Sequence, residues 1–278
     1  MTQMAAKQVL IIEAGRTERH YWADLWRYRE LLYFLAKRDI AVRYKQTMLG
    51  IAWAVLRPLL TMVAFTLVFS KIAKLPSDNV PYPILVFAAL LPWQLFASGF
   101  SDAGNSLVSN ANMISKVYFP RIIVPVSSVA VSLLDFLMSA ILLMAIMVWY
   151  GFSPNWKILT LPLFLVLAVV TAVGAGLWTA ALSVKYRDFR FVVPFLVQLG
   201  LYVSPIGFSS AVVPTEWRLL FSLNPMVGVI DGFRWAILGD NASIYWGGFM
   251  LSLTVSLIVL SCGITYFRKV ENSFADVI

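Results

Sequence analysis

Few side chains in this sequence are placed to do covalent chemistry, and that scarcity is the first constraint on function. His20 is the sole histidine and Cys262 the sole cysteine. They stand far apart, which leaves no Cys-His nucleophile, no zinc set and no intrachain disulfide. The sequence contains no GxxxxGK[ST] phosphate loop, no GxSxG, no HExxH and no DxD pair for a nucleotide-sugar metal. Catalytic residues and metal ligands are therefore expected to be absent. Inside the long apolar runs that could cross a membrane only Arg57 and Asp135 are ionisable. A proton- or sodium-coupled carrier buries several such groups as its coupling machinery. With only two, the chain is expected to take its energy from a separate protein.

Each of those two charges costs roughly 2.5–3.5 kcal/mol at the centre of a bilayer unless it is paired or wet. Two roles are open to them. One is a gate or substrate contact; the other is a structural ion pair, with Arg57 reaching toward the nearby interface. Composition makes lipid the relevant solvent. Hydrophobic residues make up 60% of the 278 and charged ones 13%, against about 25% charged in a soluble domain. The basic excess does not signal nucleic acid, because the lysines and arginines flank apolar runs instead of forming a basic face.

Stepping through those runs predicts an all-α integral membrane protein with six spans, at about 51–70, 82–101, 122–150, 158–184, 191–210 and 244–267. The first charge-poor run, Ile51 to Phe69, reaches about 29 Å as a helix, matching a hydrocarbon core of roughly 30 Å. A turn is expected at Gly151-Phe152-Ser153-Pro154. The apolar stretch Val9 to Ile12 is too short for a signal peptide, so the first span is expected to direct insertion. Between the fifth and sixth spans, about 215–240, Pro225, Asp231 and Arg234 interrupt an apolar segment. Its longest helical piece, Met226 to Leu238, is too short to cross, which predicts a re-entrant hairpin. The Gly228/Gly232 GxxxG pair falls in that segment and is discounted as a span-packing motif. Sixteen lysines and arginines lie on the side of the two termini, against Lys71, Lys74, Lys157, Arg218 and Arg234 opposite. Both termini are therefore expected in the cytoplasm, with tails at 1–50 and 271–278.

Ahead of the first span, Tyr21 to Gln46 has helical periodicity. Trp22, Leu25, Trp26, Leu32, Tyr33, Ala36 and Ile40 recur at spacings of three and four, which predicts one amphipathic helix lying in the headgroup region. Its cations Arg27, Arg29, Lys37, Arg38, Arg43 and Lys45 suit an anionic headgroup or pyrophosphate, or equally serve to hold anionic lipid and fix topology. In the second span, Trp93, Phe96 and Phe100 share a helical face. Tyr202, Phe208, Trp217, Phe233 and Trp235 are candidates to extend it into an outer aromatic belt on which sugar rings would stack. The competing role is interfacial anchoring and packing.

Several segments resemble the transmembrane subunits of polysaccharide ABC exporters, the type-2 permeases. They are RDIAVRYKQTMLGIAWAVLRPLL (38–60), VPYPILVFAALLPWQLFASG (80–99), NANMISKVYFPRIIVP (110–125), VKYRDFRFVVPFLVQLGLYVSPIGF (184–208) and NPMVGVIDGFRWAILG (224–239). They follow the family's order, nearest its O-antigen and teichoic-acid branch. The resemblance implies a homodimer in the bacterial inner membrane, bound to two copies of a cytoplasmic ATPase that holds the ATP and magnesium, with no cofactor on this chain. It also implies a coupling helix at about 109–120, where Lys116, Tyr118 and Arg121 would meet the ATPase. The implied substrate is a lipid-linked polysaccharide, of O-antigen type first, with teichoic acid, capsule, or a small lipid or drug as alternatives. A membrane enzyme of glycan assembly is the remoter reading, disfavoured by the missing acids and histidine. A channel or receptor subunit is a third.

Overall fold

The computed structural model describes residues 21–45, 50–76, 80–271 and 274. The expected N-terminal tail up to His20, Gln46 of the interface helix and most of the tail at 271–278 lie outside the described residues. Regular structure among the described residues is helical throughout. In order these are α1 (Tyr21–Arg27), α2 (Arg29–Lys45), α3 (Gly50–Phe65), α4 (Tyr82–Ser109), α5 (Ala111–Ile114) and α6 (Ile123–Trp149). Then follow α7 (Leu161–Lys185), α8 (Phe189–Val203), α9 (Thr215–Phe221), α10 (Pro225–Leu238) and α11 (Trp246–Val270). A π-helical stretch, Thr66–Ile72, prolongs α3, and a 3₁₀ turn, Trp156–Thr160, leads into α7. Among the described residues, five helical stretches are long and apolar enough to cross a membrane: Ala52–Ile72, Tyr82–Ser109, Ile123–Trp149, Trp156–Lys185 and Trp246–Val270.

The trunk is α4 packed on α6 and α7, with α7 packed in turn on α11. Lipid supplies no hydrophobic drive between helices, so small residues that let backbones approach decide where they join. Gly174 of α7 and Gly263 of α11 are such a pair, since a β-carbon on either would strike the other helix's backbone. The Gly228/Gly232 spacing, discounted above, is also used. On α10, Gly228 sits against Ser252 of α11 and Gly232 against the Phe164 ring of α7. Two apolar cores result. The larger, at the end we call the crown, gathers α4, α6, α7 and α10 around Phe87, Phe233 and Ile84. The smaller, at the base, joins Tyr21 and Leu35 to Ile114, Phe119, Leu177 and Phe267.

Four expectations need correcting. The fifth run ends as a helix at Val203, not near 210, because Pro205 disfavours helical backbone at Ser204, whose ψ is 151°. At 15 residues, α8 reaches only about 22 Å. The second run does not stop at 101, since α4 continues to Ser109. The coupling helix at 109–120 is reduced to the single turn α5, after which Ser115–Tyr118 is exposed between buried Ile114 and Phe119. Finally, the interface helix is two helices joined at Tyr28. Backbone bonds bridge the junction, from Tyr28 N to Asp24 O (2.9 Å) and Leu32 N to Tyr28 O (3.2 Å). Its apolar stripe is also split. Leu25, Leu32 and Leu35 pack on the base core, while Trp22, Trp26, Tyr33 and Phe34 face outward.

By contrast α6, α10 and the turn at Gly151 (φ +63°) fall within a residue or so of expectation. Asn224 caps α10 by accepting from Met226 N at 3.0 Å, and Pro225 opens its first turn. The segment between α8 and α10 is stitched in place. Arg234, buried in α10, donates to the carbonyls of Phe208 (2.6 Å), Ile206 (2.9 Å) and Leu85 (3.3 Å). Tyr82 Oη donates to the Gly207 carbonyl at 2.5 Å and Ser210 Oγ to Asp231 at 2.7 Å. Buried non-helical backbone needs such partners, because its amide and carbonyl groups have no helical ones. Gly207 itself abuts the Phe69 ring, in the π-helical stretch that prolongs α3, so closely that a β-carbon there would collide with it.

Candidate functional site

A cleft of about 460 Å³ opens between α3 on one side and α4 and α6 on the other. Its walls come from helix periodicity. Trp53, Ala54, Arg57, Pro58 and Thr61 follow one another at helical spacing on α3, facing Trp93, Gln94, Ala97 and Ser98 of α4. Asp135, Phe136 and Ser139 of α6 supply the third side, with Arg43 and Tyr44 from the end of α2 and Leu201 from α8. Most of the trunk is apolar, yet this wall offers a guanidinium, an amide and several hydroxyls to whatever enters.

Arg57 and Asp135 share the cleft but not a bond. Asp135 is held instead by α2: the Tyr44 hydroxyl donates to it and the Arg43 guanidinium lies 3.4 Å away. Arg43 also pairs with Asp102 of α4 at 3.0 Å. One guanidinium thus serves two carboxylates and ties α2 to α4 and α6. Burial, and then the bond to Asp135, raise the Tyr44 hydroxyl pKa, which keeps it a donor at every physiological pH. Arg57 makes no ion pair among the described residues and presents its side chain to the cleft.

The aromatic candidates fall into separate groups. Trp93, Phe96 and Phe100 form a ladder, with centroids 5.6 Å apart at both steps and the Phe96–Phe100 pair nearly parallel at 5°. Trp93 and Phe100 are buried, Trp93 wedged against Gly200 of α8 while also lining the cleft. Phe208 pairs with Phe221 (6.2 Å), and Trp235 sits among Phe164, Trp246 and the Lys157 ammonium. Phe233 is fully enclosed and edge-on to Phe136 at 5.9 Å, so it belongs to the crown core. Tyr202 and Trp217 are exposed, at 67% and 59%. The eight side chains do not make one continuous belt within a single chain.

Of the interface cations, Arg27, Lys37 and Lys45 are exposed, and Arg29 stacks over Trp26 at 5.2 Å. Arg38 reaches Asp39 and the Asn110 side chain, at 2.7 and 2.6 Å. That contact pins α2 to the α4–α5 corner. Lys116 and Tyr118 project from the exposed turn, whereas Arg121 folds back onto Glu271.

Residues 30–238 match the family described as ABC-2 type transporter. This chain belongs to that family. As a member it is similar to an O-antigen export system permease protein, RfbA, of Klebsiella pneumoniae, with 28% identity over 90% of this chain and 95% of that one. The namesake from Myxococcus xanthus is 27% identical over 91% and 97% of the two chains. A polysialic acid transport protein, KpsM, of Escherichia coli is 23% identical over 85% and 92%. The family match runs through α2 from Glu30, the cleft, the α5 turn and α10, while α1, α11 and Glu271 lie outside it.

Tyr44, Gln94, Asp102 and Glu271 were not singled out from the sequence. Asp102 directly follows a charge-free run, where a charge reads as the end of a span and not as part of α4. Nothing local marks Tyr44 or Glu271, because their partners Asp135 and Arg121 are 91 and 150 residues away.

Proposed function

We propose that this chain is the permease of an ATP-driven exporter that carries a lipid-linked polysaccharide, of O-antigen type, across the bacterial inner membrane. The observation that carries the reading is the polar cleft in an apolar trunk, in a chain similar over nine tenths of its length to proteins named O-antigen export permeases. Glycan hydroxyls cost a few kcal/mol each to bury without a partner. Gln94, Ser98, Ser139 and Thr61 offer those partners, Trp93 offers an apolar ring face, and Arg57 suits an anionic phosphate of the carrier lipid. The exposed cations of α2 would gather that headgroup at the membrane surface first.

In this reading α3, α4, α6, α7, α8 with its stitched extension, and α11 are the six spans. α9 and α10 dip into the outer leaflet, and both termini are cytoplasmic. Two copies pair as a homodimer. ATP and magnesium are handled by two copies of a partner ATPase that meets the Ser115–Tyr118 turn through Lys116 and Tyr118. Removing the gene should abolish surface O-antigen, and restoring this chain should bring it back; unaffected surface glycan sinks the reading. Loss of capsule or a wall polymer instead would assign the substrate to that class. Topology is checked in a Cys262→Ser background. Ser153→Cys should label from outside intact cells and Ser109→Cys only after permeabilisation, and outside labelling of the latter would overturn the six-span arrangement.

A further inference from the structure

At the base of the molecule three elements far apart in sequence converge on one carboxylate. Glu271 directly follows α11. Its Oε1 accepts the Arg121 backbone N–H at 2.7 Å, and its Oε2 accepts the Tyr21 hydroxyl at 3.1 Å. Its own carbonyl takes the Arg121 guanidinium. Arg268, one helical turn back, lies over the Tyr21 ring at 4.7 Å. Beside this knot, Phe267 and Phe274 are fully buried, edge to face at 5.3 Å. Burial raises the Glu271 carboxyl pKa, opposed by the bonds from Arg121 and Tyr21. Keeping a desolvated carboxylate here has an energetic cost that an apolar contact would avoid.

The placement gives that cost a purpose. The exposed turn Ser115–Tyr118 is held between buried Ile114 and Phe119, and Arg121 stands at the threshold of α6. Apolar packing lets surfaces slide, whereas hydrogen bonds fix distance and direction. We propose that Glu271 is a positioning residue for energy coupling. Through Arg121 it locks the turn to the end of α11, and through Tyr21 to the start of α1, so that a push on the turn moves all three together. The inference rests on the reading that an ATPase drives this chain through that turn.

The test uses the permease with the ATPase that co-purifies with it, in proteoliposomes, measuring ATP hydrolysis and exported lipid-linked glycan together. Glu271→Ala should leave complex assembly and hydrolysis near the unaltered level while export per ATP falls about tenfold, the size of an ordinary coupling free energy. Glu271→Gln keeps an acceptor for the Arg121 N–H and should recover at least half of the export. Tyr21→Phe should fall between the two. Combining Tyr21→Phe with Glu271→Ala should be no worse than Glu271→Ala alone, because both act along one connection. Unchanged export per ATP in Glu271→Ala overturns the proposal. So does export that declines only in step with assembled complex or thermal stability, which marks a structural staple. Unaltered protein that shows no ATP-driven export at all would sink the exporter reading instead, and the control separates the two failures.

Discussion

α3 and α4 are similar in hydropathy, yet the molecule treats them in opposite ways. Only 11% of the most apolar window of α3 is covered by the rest of the chain, against 72% for α4. In α4 the residues Ile84 to Ala89 are enclosed all round. In α3, Trp53, Leu60, Val63 and Leu67 lie on the surface. Hydropathy therefore states which segments tolerate lipid, not which ones pack on protein. What separates them is small residues at crossing points: Gly99 of α4 lies against Ala172 and Val129, and Gly104 against Thr179. α4 is a fixed trunk and α3 one loosely held wall of the cleft.

The sharpest way to break that contrast starts at the crown. Arg234→Met should be the most damaging change, since three backbone carbonyls lose their donor at a cost of about 1–3 kcal/mol each. A collapse in melting temperature and membrane level is the expected outcome; a well-folded variant would show that the stitching is incidental. Trp93→Ala in α4 should cost roughly 3 kcal/mol through the cavity it leaves. Trp93→Leu should recover part of that in a thermal unfolding assay, and export lost in both at restored protein level would keep Trp93 as a glycan contact. Arg43→Leu should cost about 1 kcal/mol, a modest figure because its side chain is 38% exposed. Double-mutant coupling with Asp135→Asn is the check, and additive effects would remove Arg43 from the tie between α2 and α6, leaving Tyr44 alone in it.

On α3 the smallest stability effects are expected. Leu60→Ala should change stability by less than about 0.5 kcal/mol in a dispersed single chain. Arg57→Leu should leave protein level the same or higher, because it removes a charge from membrane depth. If Arg57 meets substrate, export should fall severalfold all the same. A large loss of stability at Leu60 in the membrane-assembled protein, absent from the dispersed single chain, would mean that a second copy covers this face.

Much of this was legible in the sequence where a charge or a turn residue bounds an apolar run. Arg121 and Gly151 bracket α6, and Pro225 and Gly239 bracket α10, so both helices fell where expected. α8 was overrun because Ser204-Pro205-Ile206-Gly207 is charge-free, and only the backbone restriction at Pro205 betrays the break. Asp135 was visible as an anomaly, but its partners were not. Tyr44 and Arg43 come from another helix, and pairing across 91 and 92 positions leaves no periodic trace. The interface helix was legible as a helix, but its two apolar faces were read as one because Tyr33 and Ala36 share the spacing of a stripe while facing different surroundings.

The resting place of Gly207 on the Phe69 ring has a mechanical meaning. It fastens the far tip of α3 to the segment that Arg234 and Tyr82 hold against the trunk. Farther down, Trp53, Ala54, Arg57 and Thr61 line the cleft, while Leu59 and Met62 keep α3 against the crown core. The two walls are therefore arranged like tongs, fastened near the Phe69 tip and held only lightly along the cleft. In the exporter reading proposed above, widening of the cleft would pivot about Phe69 and open first toward the Ser115–Tyr118 turn, the side on which the cargo would be loaded.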